Sequence, residues 1–185
     1  MSFRATFKYP FYVNLLKMGK DSKTKVFEQK VKHKGFFSYS DFYAFCYNWW
    51  KDKNYKVAEE EYTEKVSSFG KEVLIKWVAS KKESDYFKFA STIKWHILGL
   101  QDAEVERDGK SEKTNKGEVK IAIKSEVESD YAEEWSVNPF WKFLRGIYDK
   151  YIVKTTADTF EKKLKEDSED FVEEMKAFLT LEGRR

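Results

Sequence analysis

The stretch Asp85-Tyr-Phe-Lys-Phe-Ala-Ser-Thr-Ile-Lys-Trp-His-Ile-Leu-Gly-Leu100 alternates strictly through most of its length. Phe87, Phe89, Ser91, Ile93, Trp95 and Ile97 fall on one side, and Tyr86, Lys88, Thr92, Lys94 and His96 on the other. A period of two predicts a long strand with one face in a core and the other, lysine-bearing face in water. The same period extends in both directions along the chain. Lys56–Val66 reads as a polar strand and Glu72–Ser80 as a strand that buries Val73, Ile75, Trp77 and Ala79. Phe69-Gly70-Lys71 and Lys81-Lys-Glu-Ser84 are the turns between them. Asp102–Arg107 and Glu118–Val127 read as a hairpin around a charged loop that contains Asp108-Gly109 and Lys116-Gly117. Strands joined by turns this short must be antiparallel neighbours, because a parallel pair needs a long crossover.

Helical spacing brackets this meander. Before it, Lys25–Phe37 is a further strand, with Val26, Glu28 and Lys30 on one face and Phe27, Gln29, Val31 and His33 on the other. Ser38-Tyr-Ser-Asp41 then opens a helix, with Ser40 as a cap and Asp41 suited to the positive helix start. Phe42, Phe45, Cys46, Trp49 and Trp50 form its apolar stripe. After the meander, Asn138 and Pro139 make an N-cap and first helical position. Phe140, Phe143, Leu144, Ile147, Tyr148, Tyr151 and Ile152 keep helical spacing, which resumes at Phe160 and Leu164. Asp167-Ser168 is a candidate interruption, so 166–182 is a possible separate C-terminal helix. Residues 1–22 are an aromatic, basic arm or edge strand, since Pro10 argues against a central strand. Residues 23–185 form a single domain. The expected fold class is α+β, a curved antiparallel sheet of about six strands gripped by a long C-terminal helix, in β-α-β5-α order.

Composition narrows the function classes. Of 185 residues, 41% are apolar and 18% aromatic, which suits a packed core even at 36% charged residues and a mean hydropathy of −0.73. One cysteine, Cys46, rules out an internal disulfide, and two histidines, His33 and His96, make a zinc site improbable. No targeting stretch or membrane-span-length apolar run is present, so a cytoplasmic location is expected and no integral membrane segment. No cofactor is implied, and hydrolytic, Walker and dinucleotide motifs are absent, so the reading leans away from an enzyme. No catalytic or metal residues are assigned: Glu59, Glu60 and Glu61 alternate across a strand, and Asp102, Glu104 and Glu106 read as a solvated ladder.

By element order, residues 24–165 resemble the START, Bet v 1 and polyketide-cyclase (SRPBCC, helix-grip) superfamily. The segments Ile93-Lys-Trp-His-Ile-Leu-Gly-Leu100, Asp102-Ala-Glu-Val-Glu106, Arg107-Asp-Gly-Lys110, Asn115-Lys-Gly-Glu118, Phe143-Leu-Arg-Gly-Ile-Tyr-Asp-Lys-Tyr151 and Lys176-Ala-Phe-Leu179 resemble an uncharacterised archaeal protein family. The helix-grip resemblance implies a START-like role, ligand binding in a hydrophobic cavity between sheet and C-terminal helix, without catalysis. Its candidate lining is Trp77, Phe89, Ser91, Trp95, Phe143, Ile147 and Tyr151. Ser91 favours a pocket, because a hydroxyl on an apolar face needs a partner or water. The opposing reading is a close-packed core.

Charge asymmetry supplies the alternative. Residues 1–56 carry 12 basic and 4 acidic side chains, whereas the whole chain is only +3. Lysines interleaved with aromatics suit a nucleic acid or ribosome-associated role through Lys30, Lys32 and Lys34, with phosphate on lysine and bases on rings. The competing expectation pairs this basic strand with the acidic C-terminal segment, where residues 157–182 hold nine acids and four bases. The arm at 1–22 also admits a homodimer by strand addition.

Overall fold

The computed structural model describes residues 23–107, 110–129 and 154–184. They form an α+β unit of five strands and two helices: β1 (Lys23–Phe37), α1 (Tyr39–Asp52), β2 (Lys56–Ser67), β3 (Gly70–Lys82), β4 (Phe87–Arg107), β5 (Lys110–Ser129) and α2 (Lys154–Arg184). The strands make one open antiparallel sheet in the order β1-β5-β4-β3-β2. β2 to β5 are the expected meander. β1 closes against β5, so α1 carries the chain from one sheet edge to the other. The arm at 1–22 and the helical stretch proposed before residue 154 lie outside the described residues.

Among the described residues the sheet has five strands where the sequence suggests about six. Asp85–Leu100 and Asp102–Arg107 run together as the 21-residue β4. The joint is a β-bulge: the pairing with β5 slips between Leu98 and Gln101, and Gly99 takes φ 61° there, a backbone open chiefly to glycine. Gly70, at φ 110°, packs against the same bulge, where an added Cβ would sit 2.8 Å from the Gly99 carbonyl carbon. The break expected between Leu100 and Asp102 is therefore a kink within one strand and not a turn between two.

α1 begins one residue pair earlier than expected: Ser38, not Ser40, is the cap, its Oγ accepting from the Asp41 amide at 3.4 Å. The helix ends as Asn54 turns to φ 64°, a conformation asparagine tolerates. Phe42, Cys46, Trp49 and Trp50 are buried and Phe45 half-buried, as its stripe dictates. α2 runs through Asp167 and Ser168 without a break. It presents Leu164, Ser168, Phe171, Val172, Met175 and Leu179 to the core and lies over β1, β5 and α1.

Within the unbroken helix the Ser168 hydroxyl donates back to the Leu164 carbonyl at 2.7 Å. That commitment orders a chain across three elements. Ser125 donates to Ser168 (2.8 Å) and Ser91 donates to Ser125 (2.8 Å), all three serines being fully buried. Ser91 is thus satisfied by the fold itself. Ser125→Ala removes the middle link, leaving Ser91 with a buried unpaired hydroxyl; it should cost about 1–3 kcal/mol in urea unfolding. Ser91→Ala, which removes only the terminal donor, should cost less. The reverse ranking would overturn the assigned direction of the chain.

His33 lies on the inner face of β1, edge-on to Phe37 with ring centroids 6.2 Å apart, and its Nε2 is buried without a partner. Burial pushes its pKa below the usual 6.5, opposed by a backbone hydrogen bond at Phe36. The unfolded chain therefore binds the proton more readily, and stability falls as pH drops from about 6.5 toward the folded value. Thermal unfolding should show a lower midpoint at pH 5 than at pH 7, and His33→Gln should shrink the difference; an unchanged difference would contradict the assignment.

Candidate functional site: a lysine frame on the outer sheet face

The two faces of the sheet have opposite chemistry. Inside, Trp77, Phe89, Ser91 and Trp95, four of the residues expected to line a pocket, are at most 1% exposed. Trp95 touches Phe42 (5.3 Å between ring centroids) and Trp77 (4.9 Å), and Trp77 meets Tyr43 edge-on at 4.7 Å. Phe89 reaches Phe160 of α2 at 6.0 Å. Rings in contact at these distances support one another as packed core. Phe143, Ile147 and Tyr151, the other proposed lining, fall outside the described residues. The Cys46 thiol is buried, and burial raises its pKa, so it is unreactive.

At the β2 rim of this core, Glu59 accepts from the Tyr43 hydroxyl at 2.8 Å and from Trp77 Nε1 at 3.1 Å. Burial, with the carboxylate beside it, pushes the Tyr43 hydroxyl up to about 12, so it stays a donor at neutral pH. The other glutamates of that run serve the opposite face: Lys76 pairs with Glu60 at 2.7 Å and lies 3.7 Å from Glu61. Among the described residues no cluster of three or more His, Cys, Asp or Glu side chains could hold a metal ion.

The outer face is where the lysines converge. Lys30, Lys32 and Lys34 are exposed on β1, opposite to the buried Val31 and Phe37. Strand register places Lys30 opposite Ala122 of β5, and Ala122 opposite Lys94 of β4. Lys120 and Lys124 stand two residues either side of Ala122 and share its face. A small side chain is therefore framed by four exposed lysines from three strands. Neighbouring strands are about 4.8 Å apart, so Lys30 and Lys94 sit roughly 10 Å from each other at the backbone.

The frame extends outward. Lys32 is directly opposite Lys120, and Lys94 directly opposite Lys76. Like charges in that relation destabilise a sheet. Glu118 relieves the first pair, contacting Lys32 at 3.2 Å and Lys120 at 2.9 Å, and those ammonium groups hold its carboxyl below the usual range. Lys124 pairs with Glu126 at 2.6 Å. Among the described residues Lys30, Lys34 and Lys94 have no carboxylate within ion-pairing distance. His96 occupies the row of Lys120, and its Nε2 lies 2.8 Å from Glu72 Oε1, a surface pair.

The acidic C-terminal helix does not neutralise these lysines, contrary to the intramolecular expectation. It packs on the inner face of β1 and β5, while Lys30, Lys32 and Lys34 point outward. Its Asp167 and Asp170 instead receive Lys53 at 3.3 and 3.5 Å, and its Lys163 pairs with Glu83. Sequence reasoning found the β1 lysines by alternation but missed Lys94, Lys120 and Lys124 as their companions, because only register brings them together. Comparison with protein-family models, curated proteins and solved structures finds no match for this chain.

Proposed function

We propose that this protein binds nucleic acid through the outer face of its sheet, with Lys30, Lys94, Lys120 and Lys124 around Ala122 as the centre of the contact and Lys32 and Lys34 continuing it. The observation that carries the reading is the lysine frame: four like charges are held together on one sheet face, and two of them, Lys30 and Lys94, have no carboxylate partner among the described residues, a cost that an anionic partner would repay. Lysine supplies point charges for phosphate, and the absence of arginine from the frame suits contact with the backbone more than base reading.

A second reading keeps the helix-grip arrangement, with a curved sheet, a sixth strand and a hydrophobic or lipid ligand between sheet and C-terminal helix. Two helices against one face of an antiparallel sheet are what favours it. The contact among Trp77, Trp95, Phe42 and Tyr43 argues for a filled interior around them, so we rank it second.

Anisotropy of a labelled oligonucleotide tests the first reading. The logarithm of affinity should fall linearly with that of salt, and the double variant Lys30→Glu, Lys94→Glu should weaken binding at least tenfold and flatten the slope by about 0.7 per lysine lost. Ala122→Glu separates function from folding. A carboxylate at the centre of the frame should abolish binding while leaving the thermal midpoint unchanged or higher. Binding that survives Ala122→Glu would overturn the assignment of this face. Binding confined to anionic vesicles would instead overturn nucleic acid as the partner.

A further inference from the structure

Phe36 is the aromatic side chain on the outer face of β1, and it is 36% exposed, unlike the fully buried Phe37 beside it. It lies two residues beyond Lys34 on the same face, at the end of the lysine row. Register places Lys116 of β5 directly opposite it, and the Lys116 ammonium lies over one face of its ring, 5.5 Å from the centre. Beside this pair is a depression of about 370 Å³, bounded by Lys34, Leu98, Gln101, Lys116 and Glu118. Its floor is backbone, because Gly35 and Gly117 are paired across β1 and β5 and Gly99 lies at the β4 bulge next to them.

Each feature has an ordinary explanation alone. A single exposed phenylalanine is unremarkable, and glycines at a bulge serve the kink. Their coincidence is informative. An exposed ring, two ammonium groups, one of them without a carboxylate partner, and a hollow of nucleotide size adjoin at one end of the lysine face. A ring stacks on any base, since every base has a π-face, and a base can reach it only if it is unpaired. Duplexes, by contrast, present stacked bases and phosphates alone to a sheet that carries no arginine in its frame.

We propose that the end of β1 is a subsite for single-stranded nucleic acid, in which an unpaired base stacks on Phe36, its sugar occupies the hollow over Gly35 and Gly117, and its phosphate lies between Lys34 and Lys116. This rests on the outer face being the nucleic-acid surface. It adds to that reading a choice of single strand over duplex and a single base-stacking position. Leu98 offers an apolar wall to the sugar, and the Gln101 amide, whose nitrogen donates to the Phe69 carbonyl at 3.0 Å, has an oxygen with no donor among the described residues, which can accept from a hydroxyl.

The test compares a single-stranded 12-mer and its duplex, each titrated against the wild type, Phe36→Ala, Phe36→Trp and the Lys30→Glu, Lys94→Glu variant, with circular dichroism to verify folding. Wild type should prefer the single strand. Phe36→Ala should lose about tenfold in single-strand affinity with the salt slope and the duplex affinity unchanged, and Phe36→Trp should keep or improve it. Equal wild-type affinity for both forms would overturn the subsite, as would Phe36→Ala binding like wild type. If the lysine variant loses binding while Phe36→Ala does not, the subsite fails and the lysine face stands. If neither variant changes binding, the face itself is wrong.

Discussion

Everything in this fold follows from the contact between the inner face of β4 and the two helices laid against the sheet. Ile93, Trp95 and Ile97 are essentially inaccessible, and Trp95 is held by Phe42 of α1 and Trp77 of β3. Burying a ring of this size removes a large apolar area from water at about 25 cal/mol per Å². Because strand side chains alternate, committing one face to that burial fixes the other in water. The outer lysines are therefore the complement of the aromatic core, and a one-residue slip of register would exchange the two. The serine chain from Ser91 through Ser125 to Ser168 adds direction, tying α2 to β4 and β5 at one register.

The same alternation explains why much of the architecture is visible in the residues. Phe87, Phe89, Ile93, Trp95 and Ile97 point inward as spacing demands, and the α1 stripe lies where its period of 3.6 puts it. Local chemistry misleads at points where two explanations share one residue. The alternation breaks after Leu100 because the chain bulges around Gly99, so two apparent strands become β4. Ser168 is a weak helix former that here bonds its own helix backbone. Ser91 looked like a polar residue awaiting a ligand, and its partner lies 34 positions away on β5.

The candidate site was half legible. Lys30, Lys32 and Lys34 share a face by simple alternation, and the acidic bias of the C-terminal segment is plain in composition. What composition cannot supply is the side of the sheet on which that helix lies. Its apolar stripe of Leu164, Phe171, Val172, Met175 and Leu179 draws it to the inner face, away from the lysines that its charge would otherwise attract. Hydrophobic burial outweighs exposed ion pairs, which contribute about 0–1 kcal/mol each. The frame around Ala122 needs the pairing of β1 with β5, about ninety positions apart in the chain, and nothing local encodes that register.

Lysine footprinting is the most direct examination of the central claim that the outer face is the working surface. Reductive methylation with and without a single-stranded oligonucleotide, read by mass spectrometry, reports each ammonium separately. Protection should concentrate at Lys30, Lys34, Lys94, Lys120 and Lys124, leaving Lys162, Lys165 and Lys176 of α2 as reactive as in the free protein. Protection spread evenly over both groups, or confined to α2, would contradict the account.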